Sequence, residues 1–222
     1  MTNIYLLIIE LLTCLLAILI LYKNHKFEGL YTYSIIAFIL ANLMSLKTIS
    51  IYSFDINLGI ITFTSVFIAN NIIIQKKGFD DSKKIIIYTV MASVVAYICF
   101  YLTSLITSSN INLFTNKSYD NLFIDSHRLY FANIATMLYI LIFNGKLYSY
   151  LKRDKNKIWI SNIFSGIIIQ FISSCLFSII AYALIKEPIE IVKIIIMRYM
   201  LSILTIIIGT IFIYIANKFK ID

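Results

Sequence analysis

Three amides interrupt a long apolar run. In GIITFTSVFIANNIIIQKKGFDDSKK, Gly59 to Lys84, these are Asn70, Asn71 and Gln75. Asn71 and Gln75 are four residues apart and share one face of a helix, and Thr64 and Ile68 continue that stripe. Such groups break no bonds. An amide donates and accepts at once, so the chemistry open to it is hydrogen-bonded recognition. In an apolar setting an amide is costly unless it faces protein, water or a ligand. Two readings stand at this stage: glue between helices, and a surface facing a substrate. Arg198 lies well inside an apolar block and needs an acceptor or a water-filled cavity. Glu10 is the one acid inside such a block, with Lys47, Arg198 or the outer interface as its candidate partners.

Bond-making chemistry finds little support. No glycine-rich phosphate loop, HExxH, GxSxG or CxxC occurs. Cys14, Cys99 and Cys175 lie in three different apolar blocks, and His25 and His127 are isolated, so neither a disulfide framework nor a metal site is expected. The paired acids Asp80 and Asp81 sit in a basic turn, where they are read as solvated or as capping a helix that begins near Ser82. The expectation is a protein that is not an enzyme and carries no cofactor.

Composition says what must position these groups. The chain has 222 residues, 60% of them hydrophobic and 14% charged, against about 25% charged in an average soluble domain. Its mean hydropathy is +0.89. Long apolar blocks separated by short polar ones are the pattern of an all-α, polytopic membrane helical bundle. Seven spans are expected: Ile4–Tyr22, Leu30–Leu46, Leu58–Gln75, Ile85–Thr107, Leu129–Tyr150, Ile158–Ile185 and Ile189–Phe219. Pro188 separates the last two. The longest polar interruption, Thr107 to Ser126, is too short to fold alone. Residues 1–222 form one domain in this reading, with 1–27 a peripheral N-terminal helix and 28–222 a six-helix core. The first block lacks a basic leader region and a small-residue cleavage site, and is read as a retained helix.

The net charge of +8 is carried by lysines in short loops, which points to membrane topology rather than to nucleic acid. One set of alternate loops holds Lys23 and Lys26; Lys76, Lys77, Lys83 and Lys84; Lys152, Arg153, Lys155 and Lys157; and Lys218 and Lys220. On the other side Lys47, Lys117, Arg128, Lys186 and Lys193 are dispersed and mostly offset by Asp55, Asp120, Asp125, Glu187 and Glu190. The positive-inside rule places the N-terminus outside and the C-terminus in the cytoplasm. Lys47 and Arg128 lie near outer span ends, where snorkelling explains them.

Further polar stripes mark faces turned from lipid. Asn133, Thr136 and Asn144 share one face of the fifth span. Asn162, Gly166, Gln170 and Ser173 do so in the sixth, and Arg198, Ser202, Thr205 and Gly209 in the seventh. In the second span Asn42 sits beside Ala37, Ala41 and Ser45. Small residues allow helices to approach closely, and Ala37-x-x-x-Ala41 is a candidate docking face for a partner.

The run EGLYTYSIIAFILANLMSLKTISIYSFDINLGIITFTSVFIANNIIIQKKGFDDSKK resembles the opening of the VUT family, the vitamin uptake and queuosine-precursor transporters. The family's ANxxxxK segment is matched by Ala41, Asn42 and Lys47, and its DxxxExxG motif by Asn71, Gln75 and Gly78. Its later Arg matches Arg128. Its Trp ahead of a Ser-rich, Gln-containing helix matches Trp159, Ser165 and Gln170. Tyr199 and Thr210 fall in its last helix. The resemblance covers nearly the whole chain and rests on dispersed residues. This chain departs from the family where acids are expected at Asn71, Gln75, Asn144, Ser173 and Gly209, and where a lysine is expected at Ser202, one turn from Arg198.

The resemblance implies a transporter in a bacterial plasma membrane that takes up a queuosine precursor, a 7-deazaguanine base or its nucleoside. The substrate-binding residues expected are Asn42, Lys47, Asn71, Gln75, Arg128, Asn162, Gln170, Ser173 and Arg198. The partners expected are a small-molecule substrate and the lipid bilayer. A second copy of the chain, or the ATPase of an importer for which this chain captures substrate, are the candidate protein partners. A non-transporting interaction protein is the third class. Topology is open to a direct test. Cysteines placed at Asp81 and Asn156 are labelled from the cytoplasm and one at Asn116 from outside; labelling of Asn116 only from the cytoplasmic side reverses the orientation.

Overall fold

The computed structural model describes residues 2–51, 54–107, 113–124, 126–152 and 158–219. Arg153, Lys155, Asn156, Lys157, Lys220 and Asp125 lie outside these residues. The described chain is an all-α membrane helical bundle with one small hairpin. Helix α1 (Thr2–Met44) is followed by strands β1 (Thr48–Ile51) and β2 (Phe54–Asn57), then α2 (Ile60–Lys77) and α3 (Phe79–Leu105). The chain continues through α4 (Leu113–Ile124), α5 (His127–Leu151), α6 (Ile158–Tyr182) and α7 (Pro188–Lys218).

Helix α1 is two spans in one. Lys26, at φ 52° and ψ −132°, leaves the helical region and folds the helix into two arms. The arms run antiparallel, because Glu10 from the first and Met44 from the second both meet the Thr62 hydroxyl. They approach closely at Gly29, where a Cβ would sit 2.2 Å from the Leu21 carbonyl oxygen. The two arms with α2, α3, α5, α6 and α7 are the seven spans read from the sequence. Among the described residues, α1, α3, α5, α6 and α7 are long and apolar enough to cross a membrane.

Helix α2 falls short of that hydropathy because of its amides and terminal lysines, and the fold explains how it is housed. Every residue from Ile60 to Gln75 is buried. Helix α2 is thus enclosed by protein and needs no lipid-facing surface. Its neighbours close on it through small residues: Gly209 of α7 faces Ile68, and Gly59, at φ 91°, sits against the Ala41 carbonyl. Gly145 of α5 receives Phe79 of α3, and Gly166 of α6 receives Ile206 of α7. Outward faces carry exposed Leu12, Leu16, Met91, Val95, Phe143, Phe171 and Ile207, as a lipid-facing surface requires.

The basic loops gather at one end. Lys76 donates to the Asn217 carbonyl at 2.9 Å, and Lys152 to the carbonyls of Gln75 at 2.7 Å and Ile74 at 3.1 Å. Lys77 sits 4.1 Å from the centre of the Phe27 ring. Lysines thus satisfy carbonyls left open at the C-terminal ends of α2 and α7. At the opposite end Lys186 lies 4.0 Å from Asp55 and 3.4 Å from Glu190.

Four details depart from the sequence reading. The segment after α1 pairs as an antiparallel hairpin, Thr48 with Asn57 through Ile51 with Phe54. The interruption after α3 contains helix α4, whose Phe123 stacks on Phe100 of α3 at 5.0 Å. Helix α3 begins at Phe79, so Asp80 and Asp81 lie in its first turn, paired with Lys83 at 2.6 Å and Lys84 at 3.1 Å, and do not cap a helix starting near Ser82. Ala37 and Ala41 are buried inside the bundle, so they are not an outward docking face.

The glycines give a graded test. Gly29→Ala drives a methyl group into a backbone carbonyl and lowers stability by about 1–3 kcal/mol in reversible detergent unfolding. Gly209→Ala costs less, because the group it meets, Ile68 Cδ1, is the end of a side chain that can turn away.

Candidate functional site

The buried amides form a chain across four helices. Asn144 of α5 donates to Asn71 Oδ1 at 2.6 Å, and Asn71 donates to Asn162 Oδ1 of α6 at 2.6 Å. Asn162 in turn donates to Thr210 Oγ1 of α7 at 2.7 Å and weakly to the Ile206 carbonyl at 3.4 Å. All three amides are fully buried. Each satisfies the next, as low dielectric demands, and only Asn144 Oδ1 is left without a partner in this chain. One turn toward the lysine-rich end, Gln75 Oε1 accepts from Tyr148 at 3.2 Å. Together these contacts tie α2, α5, α6 and α7 near that end.

A second network ties the opposite end. Asn57, at the close of β2, donates to the Ser45 carbonyl at 2.8 Å and accepts from Tyr182 of α6 at 2.5 Å. Asn133 of α5 donates to the Ser45 hydroxyl at 3.0 Å. Asn162 and Tyr182 are twenty residues apart on α6, roughly 30 Å along the helix and comparable to the hydrocarbon thickness.

Polar groups between the two networks are incompletely matched. Thr64 meets Ser202 at 3.2 Å. Gln170 Oε1 accepts from Ser173 at 3.0 Å, while its Nε2 has no partner. The hydroxyls of Ser174 and Ser178 are also buried without partners. Arg198 is 2% exposed. Its guanidinium carbon lies 3.6 Å from the centre of the Phe177 ring and 5.9 Å from that of Phe63, and its Nε is unpartnered. The ion pairs among the described residues join other groups, so Arg198 faces no carboxylate. Glu10 is held by Thr62 at 2.7 Å and pairs with neither Lys47 nor Arg198.

The residues singled out from the sequence therefore fall into several places. Asn71 and Asn162 meet directly, with Gln75 one turn away. Gln170, Ser173 and Arg198 lie between the networks, on α6 and α7. Asn42 stands apart, donating to the Phe38 carbonyl at 2.9 Å and to Ser93 at 3.3 Å. Lys47 is exposed at the foot of the hairpin. Arg128 reaches the Ile180 carbonyl at 3.4 Å near the end of α6. Sequence reasoning missed Tyr148, Asn57 and Tyr182. Tyr148 had a signal, being four residues after Asn144 on one helix face, whereas Asn57 and Tyr182 lie at element ends where no periodicity marks them.

Asn71 is the test of the amide chain. Asn71→Ala removes two interhelical bonds and strands Asn144 and Asn162, for an expected loss of about 1–3 kcal/mol. A cycle with Asn162→Ala is expected to give a coupling of about 0.5 kcal/mol or more, whereas independent, additive losses mean that the two amides do not act together.

Compared with known proteins, no curated protein and no solved structure matches the chain. A family profile does: the family described as "Putative vitamin uptake transporter" matches residues 57–216. That range takes in α2 through most of α7 and every residue of the amide chain. A polytopic bundle with a buried, hydrogen-bonding interior is a reasonable housing for a small-molecule pathway, and, on a match over most of its length, the chain belongs to the vitamin uptake transporter family.

Proposed function

We propose that the chain is a carrier that takes up a small hydrophilic precursor, a 7-deazaguanine base or its nucleoside, by alternating access across a bacterial plasma membrane. The observation that carries this reading is the placement of polar groups. Hydrogen-bonded networks close the two ends of the bundle, and unmatched donors and acceptors are buried along α6 and α7 between them. Opening one network while the other holds would expose those groups to one side at a time. A planar base presents an apolar face and a hydrogen-bonding edge. The free Nε2 of Gln170 suits that edge.

Orientation in this reading follows the lysines: the end that holds Lys76, Lys77 and Lys152 faces the cytoplasm. The driving force is not a proton moved through the centre. The positions where the family resemblance places acids are neutral here, and Glu10 is on the first arm of α1, bound to Thr62. Transport is facilitative or driven by a partner.

Uptake of radiolabelled 7-deazaguanine base into proteoliposomes containing only this protein tests the reading. Equilibrative uptake is expected, unchanged by an imposed proton gradient and reduced several-fold in Gln170→Leu at equal expression. Concentrative uptake that collapses with the gradient and survives Glu10→Gln refutes the facilitative mechanism. Binding without uptake, together with co-purification of an ATPase, identifies an importer's capture subunit instead. No binding at all favours an interaction protein.

A further inference from the structure

Among the described residues, Arg198 is a buried cation with no carboxylate paired to it. It is 2% exposed, its Nε has no partner, and the carboxylates described nearby are engaged elsewhere. Phe177 at 3.6 Å and Phe63 at 5.9 Å lie against the guanidinium, which leaves its edge as the part free to bind. That edge is a fork of N–H donors whose geometry matches a carboxylate. The hydroxyls of Ser174 and Ser178, one turn apart on α6, are buried without partners.

We infer that Arg198 is the anchor for a carboxylate on the transported molecule, held edge-on between Phe63 and Phe177. The inference rests on the carrier reading and narrows it: among such bases and nucleosides, one that carries a carboxylate is held more tightly at this site than its neutral or amine-bearing analogue. One guanidinium neutralises one negative charge. A doubly charged phosphate would leave an uncompensated charge in low dielectric, because Lys186 and Lys193 lie toward the helix end and Arg128 is engaged with the Ile180 carbonyl. Those lysines line a cavity of about 70 Å³ with Asp55, Glu190 and Ile194. Ile194 is one turn of α7 from Arg198.

Thermal melting of the full chain in detergent, at fixed ionic strength, reads the site without transport. Acetate and benzoate are expected to raise the melting temperature saturably, while acetamide, benzamide and benzylammonium do not. In Arg198→Met the apparent affinity for benzoate falls roughly 30-fold or more. Arg198→Lys, which keeps the charge but not the fork, shows a weaker effect. Equal shifts from carboxylates and their amides, or a carboxylate shift that survives Arg198→Met, overturn the inference. Should Arg198→Met fail to fold, the wild-type comparison of acid with amide decides alone. The carrier reading fails separately. Carboxylate-specific stabilisation without any uptake into proteoliposomes removes the carrier and leaves the site, whereas uptake of neutral or amine-bearing bases indifferent to benzoate removes the site and leaves the carrier.

Discussion

Hydrocarbon offers a polar side chain no partner, so an amide placed in this bundle is costly unless protein or a ligand supplies one. In α2 Asn71 and Gln75 have protein partners, while neither polar atom of the fully buried Asn70 is hydrogen-bonded within the described residues. That constraint organises the architecture. Helix α2 carries the amides and is enclosed on all sides from Ile60 to Gln75. Asn71 sits at the middle of a chain whose members come from α5, α6 and α7, so the packing of four helices is specified by one line of hydrogen bonds. Gly166 of α6 receives Ile206 of α7 and Gly209 of α7 receives Ile68 of α2, which lets these helices come close enough for the line to close. Apolar packing alone would tolerate several rotations of these helices, and the amides single out one.

The pattern of charges carries the same logic. Where the family resemblance places acids, this chain has Asn71, Gln75, Asn144, Ser173 and Gly209, all neutral. Neutral groups can satisfy one another without a counter-ion, and Asn71 and Asn144 do so. Arg198 is the exception, a fixed charge at depth beside two aromatic rings. An intramembrane cation is expensive by roughly 3 kcal/mol even on the mildest scales, and the rings of Phe177 and Phe63 offset part of that.

Much of this was legible in the sequence. Hydropathy and the basic loops place the spans within a few residues of α2, α5, α6 and α7, because a lipid-crossing helix must be apolar for most of its length. Two elements escaped. The run from Thr48 to Asn57 alternates polar and apolar residues, a strand signal that is easily lost between two strongly hydrophobic blocks. Helix α4 is short, and Phe123 near its end stacks on Phe100, a contact no local pattern announces. For the interior, the stripes of Asn71 and Asn162 could be read as facing inward, but their pairing could not, since spacing gives the face of a helix and not the helix across from it. Asn42 shows the limit from the other side: its polar stripe looks like the others, yet it meets Ser93 of α3, apart from the amide chain.

The enclosure of α2 has a consequence for biogenesis. A segment enters the bilayer from the insertion machinery by partitioning, and α2, with three amides and two terminal lysines, partitions less readily than the helices around it. The bent α1 that precedes it is strongly apolar and can enter as a hairpin, already presenting Glu10 and Met44 as the surface on which Thr62 docks. Entry of α2 is then a folding step performed at the membrane, and the helix at the centre of the finished protein is the one that depends most on the order in which its neighbours arrive.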